Sequence, residues 1–539
     1  MSKWFIMSID DFASKEEMFN LVVELTEKIK SQEATIRTKD DVILKQVRCI
    51  EELKARIDKI YEQILLSQQR RFGSSSEQTS LDQLPLFAMD TEETPELDKQ
   101  TSKTVSYERK PKSTFHDKYG DLKTSEVHEH PLEGDALNCP CCGGAMKQVD
   151  TCVKHLIRVV PEVAEIVKHC FPRYRCPYCQ EKNHNAPIVQ AEDNVSVYPN
   201  CIALPDTIAH IITQKAVLSL PLYRQEKHWN RLGVKLSRQT MSNWVINCSE
   251  RYFEPVYKIL AELLVQLDIL HADETPYPVL HDGDSKSNRG YMWLFSSCAR
   301  ELSAIAIYVY SKSRGFKTPE QFLKDFAGYV HADGYQVYKK LPNVMVSECW
   351  AHLRRKIFES HLLLGKDFAP DCPTKKALDY CDNVFRIDSQ FKNLDPHERK
   401  RRRETELRPL VDEFFEWLES LTSLPNNTFR GAVRHALQQR EYLMRFFEDG
   451  RLELSNNRAE RQIKPLVIGR KNFMFSNTAR GARATAVIYS LTETALANGL
   501  DPYKYFTWVL QQAPVLSKTD KDWAERLVPH NAPEWCRTQ

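Results

Sequence analysis

At 539 residues, with 42% apolar and 27% charged side chains, the chain is too long for a single core and reads as an ordinary soluble globular protein of three or four units. A net charge of +2 excludes a uniformly basic nucleic-acid binder, so any phosphate contact must come from local Lys and Arg density. No run approaches the roughly 18–20 apolar residues of a membrane span, and the opening MSKWFIMSIDDF is too short and acidic for a signal peptide, which predicts a cytoplasmic chain.

The first segment carries a strict seven-residue repeat. Val22, Ile29, Ile36, Ile43, Ile50, Ile57 and Ile64 form one seam, and Leu25, Gln32, Lys39, Gln46, Leu53 and Ile60 a second. Such a repeat keeps one stripe facing a partner helix, so residues 1–77 are expected to be a coiled coil joining copies of the chain, with the three polar seam positions able to fix register. A long amphipathic helix packed on its own domain would show the same stripe. The pattern stops at Arg70-Arg71-Phe72-Gly73, and the turn-forming, partly acidic stretch 78–115 reads as a linker.

Cysteine is unevenly distributed. Of 15, seven lie between Cys139 and Cys179, and the rest are scattered as reduced thiols in a large cytosolic protein would be. Cys139 with Cys142, and Cys176 with Cys179, form two CxxC knuckles, each able to present two thiolates to one tetrahedral Zn²⁺. Residues 116–195 are therefore expected to be a small β-rich zinc-binding module, with Leu156–Val160 and Glu165–Lys168 as a hairpin between the knuckles. The gap between the pairs is longer than usual, which leaves Cys141, Cys170, His155 and His169 as alternative ligands.

Residues 196–255 turn helical. Leu222 to Glu226 leads through a glycine-containing turn to Ser237 and a second helix, a helix-turn-helix pattern in which Arg238, Gln239 and Asn243 would face a DNA major groove. Helical hairpins of this shape also occur in proteins that bind no DNA.

Residues 256–500 carry the chemistry. Apolar strands end in His271-Ala272-Asp273 and His331-Ala332-Asp333, and three adjacent strands, a helix, a strand, a short helix and a further strand make the element order of an α/β ribonuclease-H-like domain. Adjacent strands would bring both carboxylates to one rim, where like charges need a cation. Such a pair can hold two metal ions about 3.5–4 Å apart. Each Asp could instead simply begin a loop. Residues 354–450 read as a helical insertion. Glu460 falls in the first turn of a helix capped by Asn456 or Asn457, where it could equally close a capping box, and Pro465 should kink or end that helix. Basic clusters occur at Arg354 to Lys356, Lys400 to Arg403 and Arg458 to Lys471, each of which, taken alone, reads more readily as a solvated helix face than as a DNA groove; residues 501–539 read as a C-terminal tail.

These residues resemble the transposases of the insertion sequence 66 family. The likeness runs through Arg71-Phe72-Gly73 with Ser76-Glu77, the two knuckles, Pro221-Leu-Tyr-Arg-Gln225, His271-Ala-Asp-Glu-Thr-Pro276, Asp333-Gly-Tyr335, Cys349-Trp-Ala-His-Leu-Arg-Arg355, Asn456-Asn-Arg-Ala-Glu-Arg461 and Ile468-Gly-Arg-Lys-Asn472. The resemblance implies a bacterial, nucleoid-associated DDE-type transposase with Asp273, Asp333 and Glu460 as the acidic triad for Mg²⁺ or Mn²⁺. It implies Cys349 and His352 as a supporting pair, insertion-sequence ends and target as the DNA partners, and accessory proteins of the same element. Arg461, Lys464, Arg470 and Lys471 share the segment of Glu460 and are candidates to hold the DNA backbone. The first knuckle departs from the family pattern by the extra Cys141. A metal-dependent nuclease that cuts without joining, or a zinc-containing DNA-binding protein with an inactive core, are the competing readings.

Overall fold

A computed structural model of the chain describes residues 15–72, 164–175, 188–190, 195–281, 289–299, 301, 303–364 and 372–538. The chain begins with one 58-residue helix, α1 (Lys15–Phe72), uninterrupted because no proline or glycine falls within it. Val22, Leu25, Ile29, Ile36, Ile43, Ile50, Leu53, Ile57 and Ile60 each keep half or more of their surface open along it. The expected knuckles and the linker lie outside the described residues. The expected strand Glu165–Lys168 is not formed: residues 164–170 are irregular and exposed, so Ile166 and Val167 have no apolar face to bury. The expected strand Leu156–Val160 lies outside the described residues; among the described residues of this stretch, β1 (Arg173–Arg175) and β2 (Ile188–Gln190) form an antiparallel pair.

Next come α2 (Pro205–Ala216), α3 (Leu222–Arg231) and α4 (Arg238–Cys248), which continues through a π-turn, Ser249–Phe253, into α5 (Glu254–Leu264). Ser237 starts α4 as its sequence suggests, its hydroxyl accepting from Thr240 N at 3.1 Å. Buried Gln225 ties α3 down by donating to Leu220 O and Ile211 O.

A mixed sheet follows: β3 (Ile269–His281), β4 (Arg289–Ser297), β5 (Ala306–Ser311), helix α6 (Lys317–Phe322), β6 (Gly328–Ala332) and β7 (Val344–Glu348), in the spatial order β5-β4-β3-β6-β7. β4 lies between β3 and β5 and is antiparallel to both, whereas β6 and β7 add in parallel. β3 does not stop at Asp273. It runs on through Pro276 and Pro278, which is tolerated because β6 pairs with it only as far as His271. Beyond that point one side of β3 needs no ladder donors, until β8 (Ser476–Thr478) joins at Val279 and His281.

After β7 the chain is helical: α7 (Trp350–Leu362), α8 (Pro373–Gln390), α9 (Pro396–Arg402), α10 (Arg408–Ser420), α11 (Asn427–Gln438) and α12 (Arg440–Met444) follow in order. Their core gathers Trp350, Cys381, Val384, Phe414, Phe415 and Phe446. The basic run at Lys400 to Arg403 is not one solvated face. Arg403 is fully buried and, with buried Arg399, holds buried Asp388 at 2.7 Å each, while Arg401 and Arg402 pair outside with Glu398 and Glu406. Arg403 also donates to Phe446 O and Leu452 O, so it fastens these helices to the segment that follows them.

That segment leads into α13 (Asn457–Phe473), then α14 (Ala479–Ala497) and α15 (Pro502–Thr519). α13 passes through Pro465 instead of ending there. The carbonyl left without a donor is that of exposed Arg461, which water can reach. α14 lies along β5: its Ser490 and Thr494 hydroxyls accept from the amides of Tyr308 and Ala306, and Asn498, just past the end of α14, accepts from that of Ala304, just ahead of β5. The spacing matches: four helical residues rise about 6 Å and two strand residues about 6.6 Å. Residues 501–538 are no loose tail, for Tyr505, Phe506, Val509 and Leu510 of α15 are buried.

Candidate active site

The sheet register brings the two HAD endings together. His271 is paired with His331 in the last rung of the parallel β3–β6 ladder, and Asp273 and Asp333 each follow two residues later, where the strands part. Asp273 accepts from Glu274 N at 2.8 Å, and Asp333 from Tyr335 N at 3.1 Å. Gly334 turns the chain at once after Asp333 with φ +93°; a Cβ there would lie 3.1–3.3 Å from the Glu348 carboxylate. Burial, then the carboxylates of Glu274, Asp333 and Glu460, hold the Asp273 carboxyl well above the usual range.

The histidines of the repeat have a purpose that strand periodicity does not reveal. Their rings stack 5.1 Å apart and 7° from parallel, both fully buried. His331 donates from Nε2 to Glu453 O at 2.7 Å, and His271 from Nδ1 to Asn456 Oδ1 at 2.9 Å. Asn456 Nδ2 in turn donates to Ala272 O, and Asn456 N to Cys349 Sγ. Both strands that carry an aspartate are thus tied to the residues just ahead of Glu460. Burial lowers the pKa of both rings, His331 to about 3, so they act as neutral struts. Asn456 stands at the cap position just ahead of α13, but its side chain makes no cap bond and is engaged in this bridge instead. Asn456→Ala is expected to cost about 2–4 kcal/mol of stability, because it strands a buried imidazole N–H and a buried carbonyl. Urea unfolding of the two proteins measures this, and a loss under 1 kcal/mol would mean the bridge is incidental.

Glu460 stands four residues after Asn456, and its side chain turns to α7, away from its own helix terminus. Oε1 lies 3.5 Å from His352 Nε2, and Oε2 lies 3.5 Å from Arg355 Nη2. Cys349, His352 and Glu460 put one donor atom each within 4.8 Å of one another. Burial, then Glu460, pushes the Cys349 thiol up to about 12. Flanking groups not legible in sequence are Glu274, held by Arg314 and by Tyr338 at 3.2 Å, and buried Glu348, paired with Lys339 at 2.5 Å. Both are acids at strand positions, and the partners of Glu274 lie 40 and 64 residues away in sequence.

The residues expected to touch DNA fall in two places. Arg238, Gln239 and Asn243 are all exposed on α4, opposite buried Met241, Trp244 and Val245, and Gln239 donates to Asn243 at 3.0 Å. Arg461 and Lys471 are exposed on α13 and Lys464 is half-buried, whereas Arg470 is engaged inside the protein, donating to Thr275 Oγ1 and Pro276 O.

The sequence model described as "Transposase IS66 family" matches residues 200–484, which span the helices ahead of the sheet, the sheet itself, the helices after it and α13. The chain belongs to this family. A model described as "IS66 C-terminal element" matches residues 490–530 of the IS66-family chain, and one described as "Transposase C of IS166 homeodomain" matches residues 59–119. Two proteins of Sinorhizobium fredii are similar to it. "Uncharacterized protein y4jD" is 26% identical over 74% of this chain and 79% of its own length; "Uncharacterized protein y4qI" is 28% identical over 64% and 65%. IS66 family membership marks the chain as a transposase and thus a DNA-processing enzyme. No described helix is long and apolar enough to cross a membrane.

Proposed function

We propose that the chain is a DDE-type transposase that cuts insertion-sequence ends and joins them to target DNA, with Asp273, Asp333 and Glu460 as its acidic triad on a ribonuclease-H-like sheet. The observation that carries the reading is the histidine–asparagine bridge: it ties the segment ahead of Glu460 to the strand ends bearing Asp273 and Asp333. The donors are hard oxygens, the kind Mg²⁺ or Mn²⁺ accepts, and the buried Asp273 carboxyl lies among those of Glu274, Asp333 and Glu460, a concentration of negative charge that a cation would offset. The residues therefore fit a divalent pair, held by Asp273 and Asp333 with Glu460. When bound, it would supply Lewis-acid activation of the attacking oxygen and charge stabilisation at the leaving one.

The chain's own groups do the rest. Asp273 and Asp333 fix two carboxylates at one rim. Arg314, Arg355 and Lys339 hold Glu274, Glu460 and Glu348 around it. The exposed face of α4 would read the element ends, and Arg461, Lys464 and Lys471 would lie along phosphates, with Arg470 assigned instead to bracing β3. Residues 116–195, with Zn²⁺ on Cys139, Cys142, Cys176 and Cys179, are proposed as a second DNA-reading module. α1 would pair with α1 of another copy, burying its open isoleucine seam and letting two ends be cut together. Element-encoded accessory proteins would join the assembly.

The test is cleavage and strand joining of labelled element-end DNA by the wild type and Glu460→Gln with Mg²⁺ or Mn²⁺. Cutting and joining by the wild type, reduced at least about 10²-fold by the substitution, supports the reading. Cutting without joining would make it a nuclease, and full activity in Glu460→Gln would remove this residue from the triad.

A further inference from the structure

The acidic triad leaves one cluster without a task. Cys349 and His352 stand three residues apart at the start of α7, facing Glu460 on α13, so three donors of mixed softness converge from two helices. Magnesium does not call for a thiol or an imidazole; a thiophilic ion does. Sulfur, nitrogen and carboxylate oxygen, one each, make a donor set that Zn²⁺ takes with three protein ligands and a fourth position left open.

Two further observations point to an ion. Glu460 Oε1 and His352 Nδ1 are both buried, and neither makes a hydrogen bond among the described residues. Glu460 Oε1 is also the atom that lies 3.5 Å from His352 Nε2. In addition, Cys349 Sγ already receives the Asn456 amide at 3.0 Å. Amide donation of this kind supports a sulfur that carries negative charge and orients it as an outer-shell partner of a metal ligand.

We propose that Cys349, His352 and Glu460 bind one Zn²⁺ ion, separate from the Asp273–Asp333 pair and from the cysteine knuckles. The ion joins the first turn of α13 to the first turn of α7 and engages Oε1 of Glu460, leaving Oε2 for the triad. The inference rests on the triad reading only for that last consequence.

The test counts zinc on full-length protein after loading with Zn²⁺ and dialysis, in the wild type, Cys349→Ser, His352→Gln and Asp273→Asn. The knuckle cysteines are intact in all four, so their zinc cancels in each difference. Cys349→Ser and His352→Gln are each expected to hold one ion fewer per chain than the wild type, and Asp273→Asn the same number. Cobalt substitution adds a direct signature: the sulfur-to-cobalt absorption of the wild type loses a component in Cys349→Ser. Equal zinc in the wild type and the two variants, with folded circular dichroism spectra, overturns the proposal. Should Cys349→Ser fail to fold, His352→Gln decides the matter alone, since it leaves the buried sulfur in place. Loss of zinc from Asp273→Asn as well would assign the ion to the acid cluster and overturn this site while leaving the triad reading intact.

Discussion

Replacing Asp273 or Asp333 by asparagine is expected to lower strand cleavage by at least about 10³-fold, a loss of about 4 kcal/mol of transition-state stabilisation. The two side chains leave the sheet where β3 and β6 part, and asparagine fills the same space with one charge fewer. The fold should not suffer. Burial and three neighbouring carboxylates already disfavour the Asp273 charge, so Asp273→Asn is expected to melt at or above the wild-type temperature in EDTA. Added Mg²⁺ or Mn²⁺ should raise the wild-type melting temperature and leave that of the variant unchanged, because only a protein that binds the ion gains from it. Thermal melts with and without metal, beside a cleavage assay, separate lost chemistry from lost structure. A variant that cuts at the wild-type rate would end the case for a paired-aspartate site.

The second large effect concerns stability and lies away from the rim. Asp388→Ala is expected to cost about 3–5 kcal/mol, since it leaves the guanidinium groups of Arg399 and Arg403 buried without their counter-charge. Burial works against the Asp388 carboxylate, but the two arginines outweigh it and its pKa is lowered. An acid depressed in the folded state stabilises most above its unfolded value, near 3.9, and that gain fades as pH falls through the folded value. The gap between wild type and variant should therefore be full at neutral pH and narrow below about pH 4. Urea unfolding across that range checks both size and trend. A gap that widened in acid would mean that the three residues are not coupled as their geometry requires. Because Arg403 also holds Phe446 O and Leu452 O, the loss should loosen the segment leading to Glu460 and lower cleavage too.

Much of the site can be read from the chain itself, for a definite reason. Apolar strands ending in acids declare themselves in sequence, and two matched endings suggest two neighbouring strands. The role of Glu460 could not be obtained this way, because an acid in the first turn of a helix capped by Asn456 or Asn457 reads equally well as closing a capping box, and only the structure shows Asn456 reaching back to His271 and Ala272. The histidines were visible as part of the repeat, but their contacts span more than 100 residues of sequence and follow from no local pattern. Composition misled at Lys400 to Arg403, where a run of positive charge is divided between solvent and a buried ion cluster. β3 ran past its expected end because proline is excluded only where a ladder needs its N–H, and which side of a strand is vacant depends on its neighbours.

The hydroxyl and amide groups that α14 offers to β5 bear on how copies of this protein can meet. An outermost strand with idle donors invites a strand from another molecule, the route to both sheet extension and aggregation. Here three successive outward amides, those of Ala304, Ala306 and Tyr308, are already satisfied from within the chain. An invading peptide would have to displace a whole helix to reach them. If copies pair through α1 as proposed, their contacts would fall on that helical surface and not on this edge of the sheet.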